Sequence, residues 1–211
     1  MAFWGTLFVL LLGGGLIWRL ASRRVSLPCP AWLGRLVEMD NPFFRNHRAE
    51  AILALAALRP GLCVLDCGCG PGRLTLPAAR AVGPDGRVLA LDMQEAMLER
   101  VRTRAAREGL ANVVTVRGEA GRPGLGAGIA PGTVDRALLS AVLGEVPDRQ
   151  ALLAGLCQAL TAGGLLVVAE VVADPHFVSR GEVRRLAERA GFVEVAGVGG
   201  ALCHVTAFRR P

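Results

Sequence analysis

The chain has 211 residues, enough for one domain with a sizeable core and a short appendage. Its 52% hydrophobic and 20% charged residues exclude a disordered chain, a coiled coil and a collagen-like repeat. The formal charge is +6, every basic residue is Arg, and Tyr is absent, so no mechanism can rest on a phenol. A basic excess this modest fits an anionic lipid or nucleic-acid partner, and equally an ordinary enzyme surface. Six Cys stand at 29, 63, 67, 69, 157 and 203. Three of them fall inside one apolar strand and turn, too close to bridge, which favours a reducing compartment over a disulfide framework.

The chain opens with Met1 to Trp18, which carry no charged side chain. As a helix they would span about 27 Å at ~1.5 Å per residue, close to a hydrocarbon core of ~30 Å. Trp4 and Trp18 sit near the two ends, and Arg19, Arg23 and Arg24 follow at once. Residues 1–24 are therefore expected to be a single-pass membrane anchor with its basic flank. The positive-inside bias puts the N-terminus outside and the remainder in the cytosol. A cleaved signal peptide would want a basic start and an A-x-A-like site, which Leu20-Ala21-Ser22-Arg23 does not offer. A buried core helix so uniformly apolar would be unusual at a terminus.

Residues 25–58 read as a connector with capping helices. Leu27-Pro28-Cys29-Pro30 cannot lie inside a helix. Ala31 to Val37 is a short amphipathic stretch suited to a bilayer surface or to packing on the domain. Ala49 to Leu58 is an Ala/Leu helix ended by Arg59-Pro60-Gly61.

From here, over 59–211, strand and helix alternate. Leu62–Asp66, Arg87–Asp92, Asn112–Arg117, Val134–Leu139 and Leu165–Val172 read as buried strands. Between them lie helices over Gly72–Val82, Glu95–Glu108 and Arg149–Leu160, and a turn at Ala162-Gly163-Gly164. A helix over Ser179–Ala190 stops at Gly191. Phe192–Val198 and Ala201–Phe208 close the chain as a hairpin around Gly199-Gly200. The alternation predicts an α/β fold, a doubly wound parallel sheet covered on both faces.

Asp66-Cys67-Gly68-Cys69-Gly70-Pro71-Gly72-Arg73 leaves the first strand and opens a helix. A dinucleotide site would want a third Gly where Arg73 stands. Asp66, two residues before Gly68, would oppose a pyrophosphate and suits instead a ligand with a cation, an ammonium or a sulfonium. Asp92 ends the second strand, where a carboxylate accepts ribose hydroxyls. Gly118-Glu119-Ala120 ends the third at the same edge and can meet an adenine amino group. Together these describe a site for S-adenosylmethionine. Cys67 and Cys69, lacking two further ligands nearby, read as small packing residues and no metal site is expected.

VLDCGCGPGRLTLPAA, RVLALDMQEAML, VDRALLSAVLGEVPD and TAGGLLVVAE, in that order, resemble the class I S-adenosylmethionine-dependent methyltransferases. The resemblance covers roughly residues 40–211. Glu170 to Phe177 with Ser179-Arg180 is similar to a subgroup of small bacterial and archaeal methyltransferases. The resemblance implies a Rossmann-like seven-stranded sheet with the last strand antiparallel. It implies that Gly68, Gly70 and Gly72 approach the methionine part, with Asp66 ordering the loop or the ammonium. It implies that Asp92 holds the ribose, with Met93 and Glu119 beside the adenine. Glu119 stands where the family more often has Asp.

Methyl transfer from a sulfonium is an in-line displacement, so the protein mainly aligns and desolvates the nucleophile. A base is needed only if the acceptor must lose a proton first. Candidates at the carboxyl edge of the sheet are Ser140, counted also with the cofactor-binding residues, and Glu145 after the fourth strand. Glu170, Asp174 and His176 follow the fifth, and Asn41, Arg45 and His47 come from the connector. Glu145, His176 and His47 are the favoured catalytic set. No Pro-Pro-aromatic or Pro-Cys nucleophile motif follows the fourth strand, and no basic arm or stacking platform is present, so no nucleic-acid substrate is expected. The expected acceptor is small or lipid-soluble: a quinone precursor, a phospholipid headgroup or an apolar small molecule. A protein or other soluble acceptor is the alternative. An NAD-dependent oxidoreductase and a non-catalytic cofactor-binding scaffold are more remote.

Overall fold

A computed structural model describes residues 44–126 and 128–211. The chain lays down seven strands: β1 (Cys63–Cys67), β2 (Arg87–Asp92), β3 (Val113–Arg117), β4 (Val134–Ser140), β5 (Leu160–Val171), β6 (Val193–Gly199) and β7 (Cys203–Arg209). Among the described residues, helix α1 (Ala49–Ala56) precedes the first strand, and α2 (Thr75–Val82), α3 (Glu95–Arg107), α4 (Arg149–Ala159) and α5 (Arg180–Arg189) lie between strands. The sheet order is β3-β2-β1-β4-β5-β7-β6, parallel throughout except for β7, which runs against both neighbours. The seven-stranded doubly wound sheet expected from the sequence, with its last strand antiparallel, is the observed fold.

Burial explains why the central strands read as unbroken apolar runs. Side chains of β5 alternate between two cores: Leu166 and Val168 pack with Leu139, Leu152, Leu156 and Phe208, while Val167 and Ala169 pack with Ile52, Ala78, Val82 and Val205. Helices α4 and α5 thus cover one face, and α1 and α2 the other. Two helix starts are capped by side chains. Asp148 accepts from the Ala151 amide at 2.8 Å, and Ser179 accepts from the Glu182 amide at 3.4 Å.

The boundaries that depart most from the sequence reading do so for backbone reasons. Helix α2 begins at Thr75 rather than Gly72, because Gly72 sits at φ +92°, outside any helix. Gly163-Gly164 does not end a turn before a strand but lies within β5. There the register against β4 jumps from Val134↔Leu160 to Arg136↔Leu165, and both glycines hydrogen bond to Arg210. The final hairpin turns over Gly199 to Leu202, wider than a two-glycine turn, with Gly199 at φ +94°.

The membrane placement is corrected. Among the described residues no helix is long and apolar enough to cross a membrane. The expected span over 1–18, its basic flank to 24 and the connector up to Phe43, with Cys29 and Asn41, lie outside the described residues. The expectation of a single-pass protein with an external N-terminus and a cytosolic domain is therefore not sustained.

Candidate active site

The carboxyl ends of β1, β2, β3 and β4 meet at one edge of the sheet, where an open α/β fold leaves its crevice. At this edge β1 turns sharply over the end of β2. The amides of Gly68 and Cys69 both donate to the Leu91 carbonyl, at 2.8 and 2.9 Å. Gly68 is at φ +75° and Gly70 at φ +50°, and a Cβ on Gly68 would lie 2.4 Å from Val142 Cγ2. Positive φ and close approach thus both demand glycine at 68.

Asp92 closes this turn. Its Oδ2 accepts from the Gly70 amide at 2.9 Å and its Oδ1 from the Gln94 amide at 2.8 Å. Burial raises its pKa above the ordinary carboxylate value, and the backbone donors only partly offset that. Asp66 lies deeper, 3% exposed, with Oδ2 accepting from the Thr75 hydroxyl at 2.6 Å. Burial pushes it up to about 6, against the lowering pull of the Thr75 bond and the Arg73 charge. A cation entering in front of Asp92, with Asp66 behind it, would favour the charged form of both carboxyls.

A cavity of about 300 Å³ opens in front of the turn. Gly68, Gly70, Asp92, Met93, Glu119, Ser140, Glu145 and Asp174 contribute to its wall. Among its described lining residues the charged ones are Asp92, Glu119, Glu145 and Asp174, all carboxylates, in a chain of net charge +6. The electrostatic preference of the cavity for a cationic ligand is therefore local, set against the charge of the whole chain.

The sequence-expected residues do not all reach this wall. Gly72 stands behind it: its amide donates to the Cys69 carbonyl at 3.0 Å, and a Cβ there would press on Val101 of α3 at 3.2 Å. It is not among the residues lining the cavity, and its lack of a side chain lets α3 pack. Asp66 is likewise set back, bonded to Thr75. Cys67 and Cys69 are buried, and burial raises both thiols, so neither is poised as a thiolate. Glu119 faces the cavity while its Oε2 pairs with Arg122 Nε at 3.2 Å. Met93, half-exposed, forms part of the same wall.

His47 and Ser140 meet through Arg73. Its guanidinium donates to the His47 carbonyl at 2.8 Å and to Ser140 Oγ at 2.9 Å, and His47 Nε2 lies 3.4 Å from the same Oγ. His47 is buried and is not among the residues lining the cavity; Ser140 is the link between them. Arg45 lies in the same short turn, Arg45–His47, and is exposed. The placement of Arg73 could not be read from sequence, where it registers only as the residue that spoils a dinucleotide motif.

Glu145, Asp174 and His176 come together. His176 Nδ1 lies 3.9 Å from Glu145 Oε1 and 3.8 Å from Asp174 Oδ1, and Asp174 Oδ1 accepts the His176 amide at 2.6 Å. The two carboxylates face the cavity. His176 instead borders a second cavity of about 650 Å³, shared with Gly144, Arg149 and Phe177 beyond the Val146-Pro147 wall. Glu170 is in neither: it is 1% exposed within β5. Val142, which roofs the glycine turn, carries no sequence signal at all.

A family model described as "Methyltransferase domain" matches residues 58–195. Nocamycin O-methyltransferase of Saccharothrix syringae is 36% identical over 133 residues, 63% of this chain and 46% of that protein. Demethylmenaquinone methyltransferase of Lactococcus lactis subsp. lactis is 30% identical over 130 residues, 60% of this chain and 50% of that one. The chain thus spans half or less of these two curated relatives. A SAM-dependent methyltransferase from Aquifex aeolicus superposes with a TM-score of 0.75 at 22% identity, covering 87% of this chain and all of that one.

Proposed function

Since the chain belongs to the methyltransferase-domain family, that of S-adenosylmethionine-dependent enzymes, we propose that it transfers the sulfonium methyl to a small, weakly polar acceptor through a hydroxyl or an activated carbon. The observation that carries the reading is the cavity whose described charged lining is wholly acidic, set against the Gly68–Gly70 turn and Asp92. Relatives named for nocamycin O-methylation and for demethylmenaquinone support the acceptor class.

The residues present fit the cofactor. Asp92 has spare lone pairs on both oxygens after its two backbone bonds and can accept ribose hydroxyls. Gly68 and Gly70 leave the backbone bare for the amino-acid part. Met93 supplies an apolar wall for the base, and Glu119 an acceptor for its amino group. Asp66, set behind the turn, orders the loop through Thr75 and adds negative potential. The bound cofactor supplies a methyl on a good leaving group, a sulfonium that departs as a neutral thioether.

The remaining work is alignment and proton removal. Glu145 and Asp174 are placed to take a hydrogen bond from an acceptor hydroxyl at the cavity wall. His176, whose Nδ1 lies beside both carboxylates, is the group that would take up the released proton from them. Ser140, fixed by Arg73 and adjoining His47, is placed to orient the acceptor.

Calorimetry with S-adenosylmethionine and its demethylated product tests the cofactor half; no binding of either by folded protein would refute it. Transfer of labelled methyl to dithionite-reduced 1,4-naphthoquinol, with a catechol beside it, tests the acceptor half. Label appearing only in protein would favour a side-chain acceptor instead.

A further inference from the structure

Val178 is held by both of its backbone groups, and each partner is a buried ionisable side chain. Glu170 Oε2 accepts from the Val178 amide at 3.1 Å. His204 Nε2 lies 3.0 Å from the Val178 carbonyl oxygen, which can only accept, so this nitrogen carries the hydrogen. Glu170 on β5 and His204 on β7 are facing residues of the antiparallel pair. They are 1% and 0% exposed. The Phe177 ring stands edge-on to the imidazole, 6.0 Å between centroids at 67°.

Two ionisable groups are a costly way to fill this position. Their neighbours on the same face of the sheet include Phe208, Leu166 and Val168, and an apolar pair would fit that core. Glu170 Oε1 and His204 Nδ1 are moreover buried with no hydrogen-bond partner. Burial raises the carboxyl to about 8 and lowers the imidazole, so both are neutral near pH 7 and fit a dry site. What the pair does achieve is specific: it fixes the amide and the carbonyl of one residue. That residue ends the turn carrying Asp174 at the cavity wall and His176 beside Glu145. Within the turn the Asp174 amide bonds the Val171 carbonyl at 2.9 Å, and the Phe177 amide bonds the Asp174 carbonyl at 3.2 Å.

We propose that Glu170 and His204 are positioning residues for methyl transfer: by clamping both backbone groups of Val178 they fix the 174–178 turn, and through it the placement of Asp174 and His176. The proposal rests on the reading of the cavity as the methyl-transfer site. Neither residue touches the cofactor cavity, and neither is a catalytic group.

The test compares isosteric loss with conservative rescue. Glu170→Gln keeps an acceptor oxygen, and His204→Gln keeps a donor near Nε2. Glu170→Leu and His204→Leu remove them. Amide exchange over 172–179 reads the clamp directly and does not depend on turnover. Methyl transfer to reduced 1,4-naphthoquinol reads its consequence, and calorimetry with S-adenosylhomocysteine reads the cofactor site. The Leu variants are expected to exchange faster over 172–179 and to lose about tenfold or more in kcat. Affinity for S-adenosylhomocysteine and KM for S-adenosylmethionine should stay within about twofold. The Gln variants should restore both exchange and kcat. Unchanged exchange in the Leu variants, Gln variants as impaired as Leu, or parallel loss of product affinity would each overturn the proposal. Should a Leu variant fail to fold, the Gln variants decide alone, since exchange in them faster than in the unsubstituted chain breaks the clamp. Absence of cofactor binding by the unsubstituted chain would refute the functional reading while leaving the exchange comparison intact.

Discussion

Gly68 combines two demands that no other residue meets. Its φ of +75° is strained for any side chain, and a Cβ would sit inside the Val142 side chain. Gly68→Ala is therefore expected to lower stability by about 1–3 kcal/mol and to weaken S-adenosylhomocysteine binding. Adding Val142→Ala removes both clashing methyls, so the double variant should regain part of the loss in a thermal melt but not all, because the backbone strain stays. Asp66 gives a second expectation at this scale. Its pKa lies near 6, above the ordinary 3.8, so it is increasingly neutral as pH falls through 6. A cationic ligand favours the ionised form. Affinity for S-adenosylmethionine should hence fall as pH drops below 6, by at most about tenfold per unit for one proton. Asp66→Asn should flatten that dependence in calorimetry.

The elements follow from burial, and so most of them were legible. β1, β2 and β4 are covered on both faces and show as short apolar runs between turn residues, while Asp66, Gly68, Gly70 and Asp92 declare themselves by their places at strand ends. What sequence could not supply is how the loops at that edge press on one another. Arg73 reaches His47 and Ser140 across 26 and 67 positions of chain; no local pattern encodes such a span. Gly72, read as approaching the methionine part, stands off the cavity lining and against Val101 of α3, a neighbour that only the folded crossover brings there. Gly144 marks a second such contact: a Cβ on it would fall 1.8 Å from the His176 carbonyl oxygen. The loops leaving β4 and β5 touch there backbone to backbone. Gly144→Ala must push them apart, and with them Glu145 and His176. It should cost about 1–3 kcal/mol in a denaturant titration and lower methyl transfer more than it lowers cofactor binding.

Across the whole molecule, the buried carboxyls tie stability to pH in the same direction. Asp66, Asp92 and Glu170 all have folded pKa values above their ordinary ones, so the folded chain holds protons that the unfolded chain releases. Their contribution is fully present below the ordinary carboxylate values and is lost as pH rises, through about 6 for Asp66 and about 8 for Glu170. His204 acts oppositely. Its folded pKa is lowered from 6.5, so its contribution is present above 6.5 and is lost as pH falls. Between about pH 7 and 8 the histidine is mostly neutral in both states, and Glu170 dominates the balance. Stability should decline across that window with a slope of at most about 1.4 kcal/mol per pH unit. Glu170→Gln has no proton to lose and should remove most of the slope in melts taken at about pH 7, 7.5 and 8. A slope unchanged in that variant would place the titrating group elsewhere and show that Glu170 is ionised in the folded chain. Saturating S-adenosylhomocysteine should raise the whole curve without changing the slope between about pH 7 and 8, since neither Glu170 nor His204 lines the cofactor cavity.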